Sequence, residues 1–99
     1  MKGRWTDEAL LDRLAIWEYL AERNPTAAVE LDERFDTSAE RLAKYPRLGV
    51  AGQIAGTREL IPHEHYRLVY ELDEVREIVW IVALIHTARC WPPVSPGSP

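Results

Sequence analysis

The sequence predicts an α/β (α+β) fold in which an N-terminal antiparallel helical hairpin packs on a small, twisted, mainly antiparallel β-sheet. Three observations carry that expectation. Two apolar periodicities of helical spacing meet at Asn24-Pro25. Residues 45–49, with Pro46 and Gly49, then break the helical rhythm. Beyond the break, the alternating run 66–72 and the wholly apolar run 78–85 flank a polar turn at 73–77, which reads as a β-hairpin.

Arg4-Trp5 reads as the start of an edge strand. Thr6 followed by Asp7 and Glu8 is a helix start, because a capping hydroxyl and two carboxylates suit the positive end of the helix dipole. Leu10, Leu14, Trp17 and Ala21, seconded by Leu20, recur at three- and four-residue spacing through Arg23 and predict one buried stripe. Asn24 ends that helix and caps the next, with Pro25 as its first residue, where a missing N–H costs nothing. Ala28, Leu31, Phe35, Ala39 and Leu42 form the second stripe, to about Lys44. So short a connection forces the helices antiparallel.

Residues 57–61 predict a short strand. In 66–72, Tyr66, Leu68, Tyr70 and Leu72 share one side, and Arg67, Val69 and Glu71 the other, with His63 and His65 on the parity of Arg67. The run 78–85 has no polar side chain and is expected to be covered on both faces in the middle of the sheet. The organisation expected is a single domain over 1–93, with the hairpin at about 6–44, the sheet at about 50–91, and a disordered proline-rich tail at 94–99.

Composition narrows the function. The single cysteine, Cys90, excludes an internal disulfide and the usual cysteine-based zinc sites, and suits a reducing cytosol. No leader or membrane span is visible, so a cytoplasmic protein without membrane contact is expected. The net charge of −4 disfavours whole-surface attraction to nucleic acid, so any such contact would have to be focused.

The chemistry-bearing candidates cluster late in the chain. Arg67, on the less apolar side of its strand, offers a guanidinium to phosphate or carboxylate; the plainer reading is an ion pair with Glu59 or Glu71. His86, at a strand end, offers acid–base chemistry near neutral pH. Arg89 beside Trp91 suggests a phosphate grip with base stacking, against the plainer reading of Trp91 as a hydrophobic cover. His63 and His65 lack a third ligand at a predictable place, and Cys90 lacks a thiol-activating motif. No phosphate loop and no serine elbow occur, and no metal or cofactor is expected.

Taken in order, several motifs resemble the RelE/ParE superfamily of type II toxin–antitoxin toxins, particularly its plasmid-stabilisation members. They are Ile16-Trp17-Glu18-Tyr19-Leu20-Ala21 with Asn24-Pro25, Arg58-Glu59-Leu60, Tyr66-Arg67-Leu68-Val69-Tyr70, and Leu84-Ile85-His86 with Arg89. The likeness covers roughly residues 4–93. It implies a growth-arresting toxin neutralised by a cognate antitoxin, which would also make any operator DNA contact. RelE-like members cut mRNA on the ribosome, whereas ParE-like members inhibit DNA gyrase without known nuclease activity.

For the nuclease branch the resemblance implies Arg67, His86 and Arg89 as catalytic groups, with Arg58, His63, His65 and Trp91 holding substrate. The departures are a missing lysine-rich cluster, Thr87 where a second arginine is often found, and a proline tail in place of a final helix with its tyrosine. The closely joined hairpin looks more ParE-like. On wording alone the balance tips slightly to a ribosome-dependent endoribonuclease, with a gyrase inhibitor as the alternative and a degenerate, antitoxin-binding module as the third reading.

Overall fold

The computed structural model describes residues 1–63 and 65–87. Arg89, Cys90, Trp91 and the tail at 94–99 lie outside the described residues, as does Glu64 between the two histidines. The order is β1 (Lys2–Trp5), α1 (Asp7–Arg23), α2 (Pro25–Lys44), β2 (Val50–Ala51), β3 (Arg58–His63), β4 (Tyr66–Asp73) and β5 (Ile78–His86). These strands form one sheet in the order β1-β5-β4-β3-β2, antiparallel except where β1 joins β5 in parallel. Among the described residues, no helix is long and apolar enough to cross a membrane.

The helix signals act as read. The Thr6 side chain accepts from the Ala9 N–H, the Asn24 side chain accepts from the Ala27 N–H, and Pro25 opens α2. Leu31, Phe35, Ala39 and Leu42 of α2 meet Leu68, Tyr70, Val79, Ile81 and Leu84 of the sheet in the main core.

The buried side of α1 differs from the expectation. Leu10, Leu14 and Trp17 are 47%, 51% and 37% exposed, while Ala9 is fully buried and Ile16 and Leu20 pack on the core. The true inward stripe is 9-13-16-20, and Arg13 stands in it. That guanidinium is consumed by α2: its Nε and Nη2 donate to the two oxygens of Asp32 at 2.6 and 2.9 Å, and Nη1 donates to Asp36 at 2.9 Å. It also lies 4.9 Å from the Trp5 ring centroid. The hydrogen bonds to Asp32 outweigh the cost of burial and raise the Arg13 pKa above its ordinary value. A charged residue at the helix interface thus hid the inward face, and a more apolar stripe faces solvent.

β5 also differs from expectation in its place. It lies beside the edge strand β1, and β4 occupies the centre. Its apolar run nevertheless buries side chains on both faces: Val79, Ile81 and Leu84 toward the helices, and Ala83 and Ile85 with Val69 on the other side. A register shift between Val69 and Tyr70 adds one residue to β5, which breaks simple alternation there. β1 ends opposite Ile81, so past that point α1 supplies the outer acceptor: Asp12 Oδ2 accepts from the Leu84 N–H at 3.1 Å.

Candidate functional site

The start of β4 and the end of β5 meet α1 around a cavity of about 370 Å³. Ala15, Ile16 and Leu84 give it an apolar floor; Asp12, Tyr19, Tyr66 and His86 give it polar walls. Cross-strand register sets the geometry, because Tyr66 pairs directly with His86 and both therefore stand on the helix-facing side. Their rings lie edge to face, 5.2 Å between centroids, and His65 stacks parallel to His86 at 5.9 Å.

His63 does not share a face with Arg67. A shift in pairing between Leu60 and His63 sets His63 opposite Tyr66, so the alternation expected through 63–67 is broken by the bulge and the turn. His63 lies 5.4 Å from His65 and 6.0 Å from Tyr66, centroid to centroid, and its Nδ1 accepts from the His65 N–H. Three imidazoles therefore gather with one phenol where β3 and β5 end and β4 begins. Among the described residues, no group of three or more His, Cys, Asp or Glu side chains has an arrangement able to hold a metal ion.

Arg67 points away from this group. It pairs with Ile85 in register, on the sheet face opposite the helices, and its Nε lies 3.2 Å from a carboxylate oxygen of Glu59. Glu59 is 9% exposed and also accepts from the Gln53 N–H. Arg58 is occupied too, donating to the Gly49 carbonyl at 2.9 Å. Of the residues expected to act together, the structure brings together His63, His65 and His86 and separates them from Arg67 by the thickness of the sheet. Arg89 and Trp91 lie outside the described residues.

Sequence reasoning missed Asp12, Tyr19 and Tyr66 as cavity residues. The usable signal was Asp12, a carboxylate flanking the inward positions 9, 13 and 16 of a helix. Burial, followed by the nearby Tyr19, raises the Tyr66 pKa above its usual 10.0. A phenol with a raised folded-state pKa stabilises the fold below its unfolded pKa, and that contribution is lost as pH rises through the folded value. Tyr66→Phe is therefore expected to flatten the alkaline fall in stability above about pH 10 while leaving the neutral-to-pH 9 profile parallel to that of the parent. Urea denaturation midpoints across pH 7–11.5 test this; an unchanged alkaline slope would reject it.

Comparison with known proteins locates this fold. The family model described as the ParE toxin of type II toxin–antitoxin systems, parDE, matches residues 4–91. Toxin RelE2 of Caulobacter vibrioides is 36% identical over 85 residues, covering 86% of this chain and 93% of that protein. In fold, the chain is similar to a structure of the chromosomal ParDE system from P. aeruginosa, with a TM-score of 0.75 and 17% identity, covering 87% of this chain and 95% of that one. It is also similar to a chain of the intact E. coli RelBE toxin–antitoxin complex, with a TM-score of 0.63 and 15% identity, covering 89% and 98%. The match spans both helices and every strand of the hairpin core, and the chain belongs to the ParE toxin family of type II toxin–antitoxin systems, within the RelE/ParE superfamily.

Proposed function

We propose that this toxin arrests growth as a ParE-like inhibitor of DNA gyrase, acting by protein contact rather than by cutting RNA. The observation that carries this reading is the separation of Arg67 from His86. Cleavage at a 2′-hydroxyl needs a proton acceptor, a proton donor and a cation converging on one phosphate. Here the imidazole stands on the helix-facing side of the sheet, while the Arg67 guanidinium stands on the other and is already paired with Glu59. The Glu59 carboxylate offsets the field of that guanidinium, so a phosphate there would meet a paired charge rather than an isolated cation.

The ParE family match and the closely joined hairpin support the same reading. So does the exposed apolar ridge of Leu10, Leu14 and Trp17 on α1, since contiguous exposed apolar surface is the ordinary mark of protein contact. The alternative, a ribosome-dependent endoribonuclease, draws on the grouping of His63, His65 and His86 with Tyr66, which offers proton-transfer groups within about one ring contact of each other.

The deciding experiment adds the purified toxin to gyrase supercoiling assays and to a cell-free translation reaction. The expected result is blocked supercoiling with intact message. Arg67→Gln keeps an N–H donor for Glu59 and removes the charge, and it is expected to retain growth arrest within about threefold, against the 10²-fold or greater loss typical when a charge-stabilising catalytic group is removed. Codon-positioned mRNA cuts that vanish in Arg67→Gln would overturn the proposal.

A further inference from the structure

We propose that the cavity between α1, the start of β4 and the end of β5 is a receptor for an arginine side chain of the cognate antitoxin. This inference concerns the antitoxin and holds whichever target the toxin attacks. Its volume of about 370 Å³ is near the lower end for ligand pockets, about 300–1,000 Å³, and suits one long side chain with part of its neighbour rather than a whole ligand.

The lining selects the chemistry. Ile16, Ala15 and Leu84 form a floor for a straight aliphatic stem, and the polar wall is rich in acceptors. Asp12 is a carboxylate with one oxygen satisfied by the Leu84 N–H, which fixes its orientation and leaves further lone pairs for a donor. The phenols of Tyr19 and Tyr66 line the same wall and add hydroxyl acceptors to it. Ring faces and a fixed carboxylate together favour a planar guanidinium over an ammonium, because the guanidinium stacks and forks its donors at the same time. The molecule already shows the stacking: the Arg23 guanidinium lies 3.7 Å from the Tyr19 ring centroid.

The charge around the cavity argues for a basic occupant. Asp12 faces the cavity, Glu8, Glu18 and Glu22 are exposed on α1 with Arg23 held on the Tyr19 ring, and the whole chain carries a net charge of −4. Exposed Leu11 and Tyr19 stand beside those carboxylates and offer apolar contact to a partner segment passing over the helix. The partner matching this surface is an amphipathic antitoxin segment with an arginine turned inward and other basic residues along the rim.

Asp12→Asn tests the proposal, because the amide oxygen still accepts from the Leu84 N–H while the charge is gone. Binding of purified cognate antitoxin to full-length toxin is measured by calorimetry at 50 and 300 mM salt. The variant is expected to bind at least about tenfold more weakly with its thermal midpoint close to that of the parent. Antitoxin arginines are then changed to glutamine one at a time, and one of them should weaken binding to wild-type toxin but cause little further loss with Asp12→Asn. As a second readout, N-acetyl-arginine methylamide should shift the backbone amide resonances of Leu84 and Tyr19 in ¹⁵N-labelled toxin, and the uncharged N-acetyl-citrulline methylamide should not. Antitoxin affinity unchanged in Asp12→Asn, or no arginine coupled to position 12, overturns the proposal whatever the small amides do.

Discussion

Replacing Phe35 with alanine is expected to lower the unfolding free energy by about 3–5 kcal/mol, the usual cost of removing a fully buried aromatic ring. Phe35 is 1% exposed and sits where α2 meets the sheet. Its ring packs edge to face on Tyr66, with centroids 5.9 Å apart and planes at 81°, a geometry worth roughly another 0.5–1.5 kcal/mol beyond area alone. Single domains hold only about 5–15 kcal/mol in total, so the variant should be partly unfolded at 37 °C. Urea denaturation at 25 °C gives the measurement, with Phe35→Leu as the milder comparison. A midpoint change worth less than about 1 kcal/mol would mean that the core closes over the gap, contrary to close packing. Function should follow stability, because Tyr66 also lines the cavity beside α1 and would lose its back wall.

The elements most legible in the sequence were those whose signal is local. Thr6, Asn24 and Pro25 set helix ends through their own side chains and dihedral limits, and no distant residue needs to be known to read them. The hairpin of β4 and β5 was equally readable, since alternation on one strand and a polar turn fix both partners. The face of α1 was not. Its inward stripe contains Arg13, whose burial is stabilised by Asp32 and Asp36 some twenty residues away, and hydrophobicity along one helix cannot register such a partner. β5 is an interior strand with the expected edge strand β1 on its outer side, and it stands one strand from the centre because β3 and β2 both add beyond β4.

The candidate site shows the same division more sharply. Arg67 and His86 were both visible as unusual residues, but their relation depends on sheet register. One residue of register exchanges faces along a whole strand, and a bulge does so locally. The pairing of Tyr66 with His86, and of Arg67 with Ile85, assigns the two groups to opposite faces. The bland ion-pair reading of Arg67 with Glu59 is the one observed. Asp12 escaped notice because it is one carboxylate among several on α1, and only the end of β1 at Ile81 gives it a strand N–H to hold.

Tyr70→Phe is expected to cost roughly 2–4 kcal/mol, an effect close to that of Phe35→Ala although only one oxygen is removed. Tyr70 is fully buried, and its hydroxyl is used twice: it accepts from the Gly49 N–H at 2.9 Å and donates to the Pro46 carbonyl at 2.8 Å. Those two backbone groups belong to the segment that breaks the helical rhythm after α2, which has no strand ladder of its own. Phenylalanine fills the same space, so the loss is almost wholly that of stranding a buried donor and a partly buried acceptor. The site has no room to adjust, since a Cβ on Gly49 would lie 2.6 Å from the Glu59 carbonyl oxygen and 2.8 Å from the Tyr70 hydroxyl. Hydrogen exchange distinguishes this mechanism from general core weakening. The Gly49 amide should exchange through local opening in Tyr70→Phe, while the amides of β4 and β5 exchange only with global unfolding. Equal acceleration of all three would place the hydroxyl's contribution in the core instead. Because Arg58 donates to the same Gly49 carbonyl, release of this turn would also free a guanidinium now spent on structure.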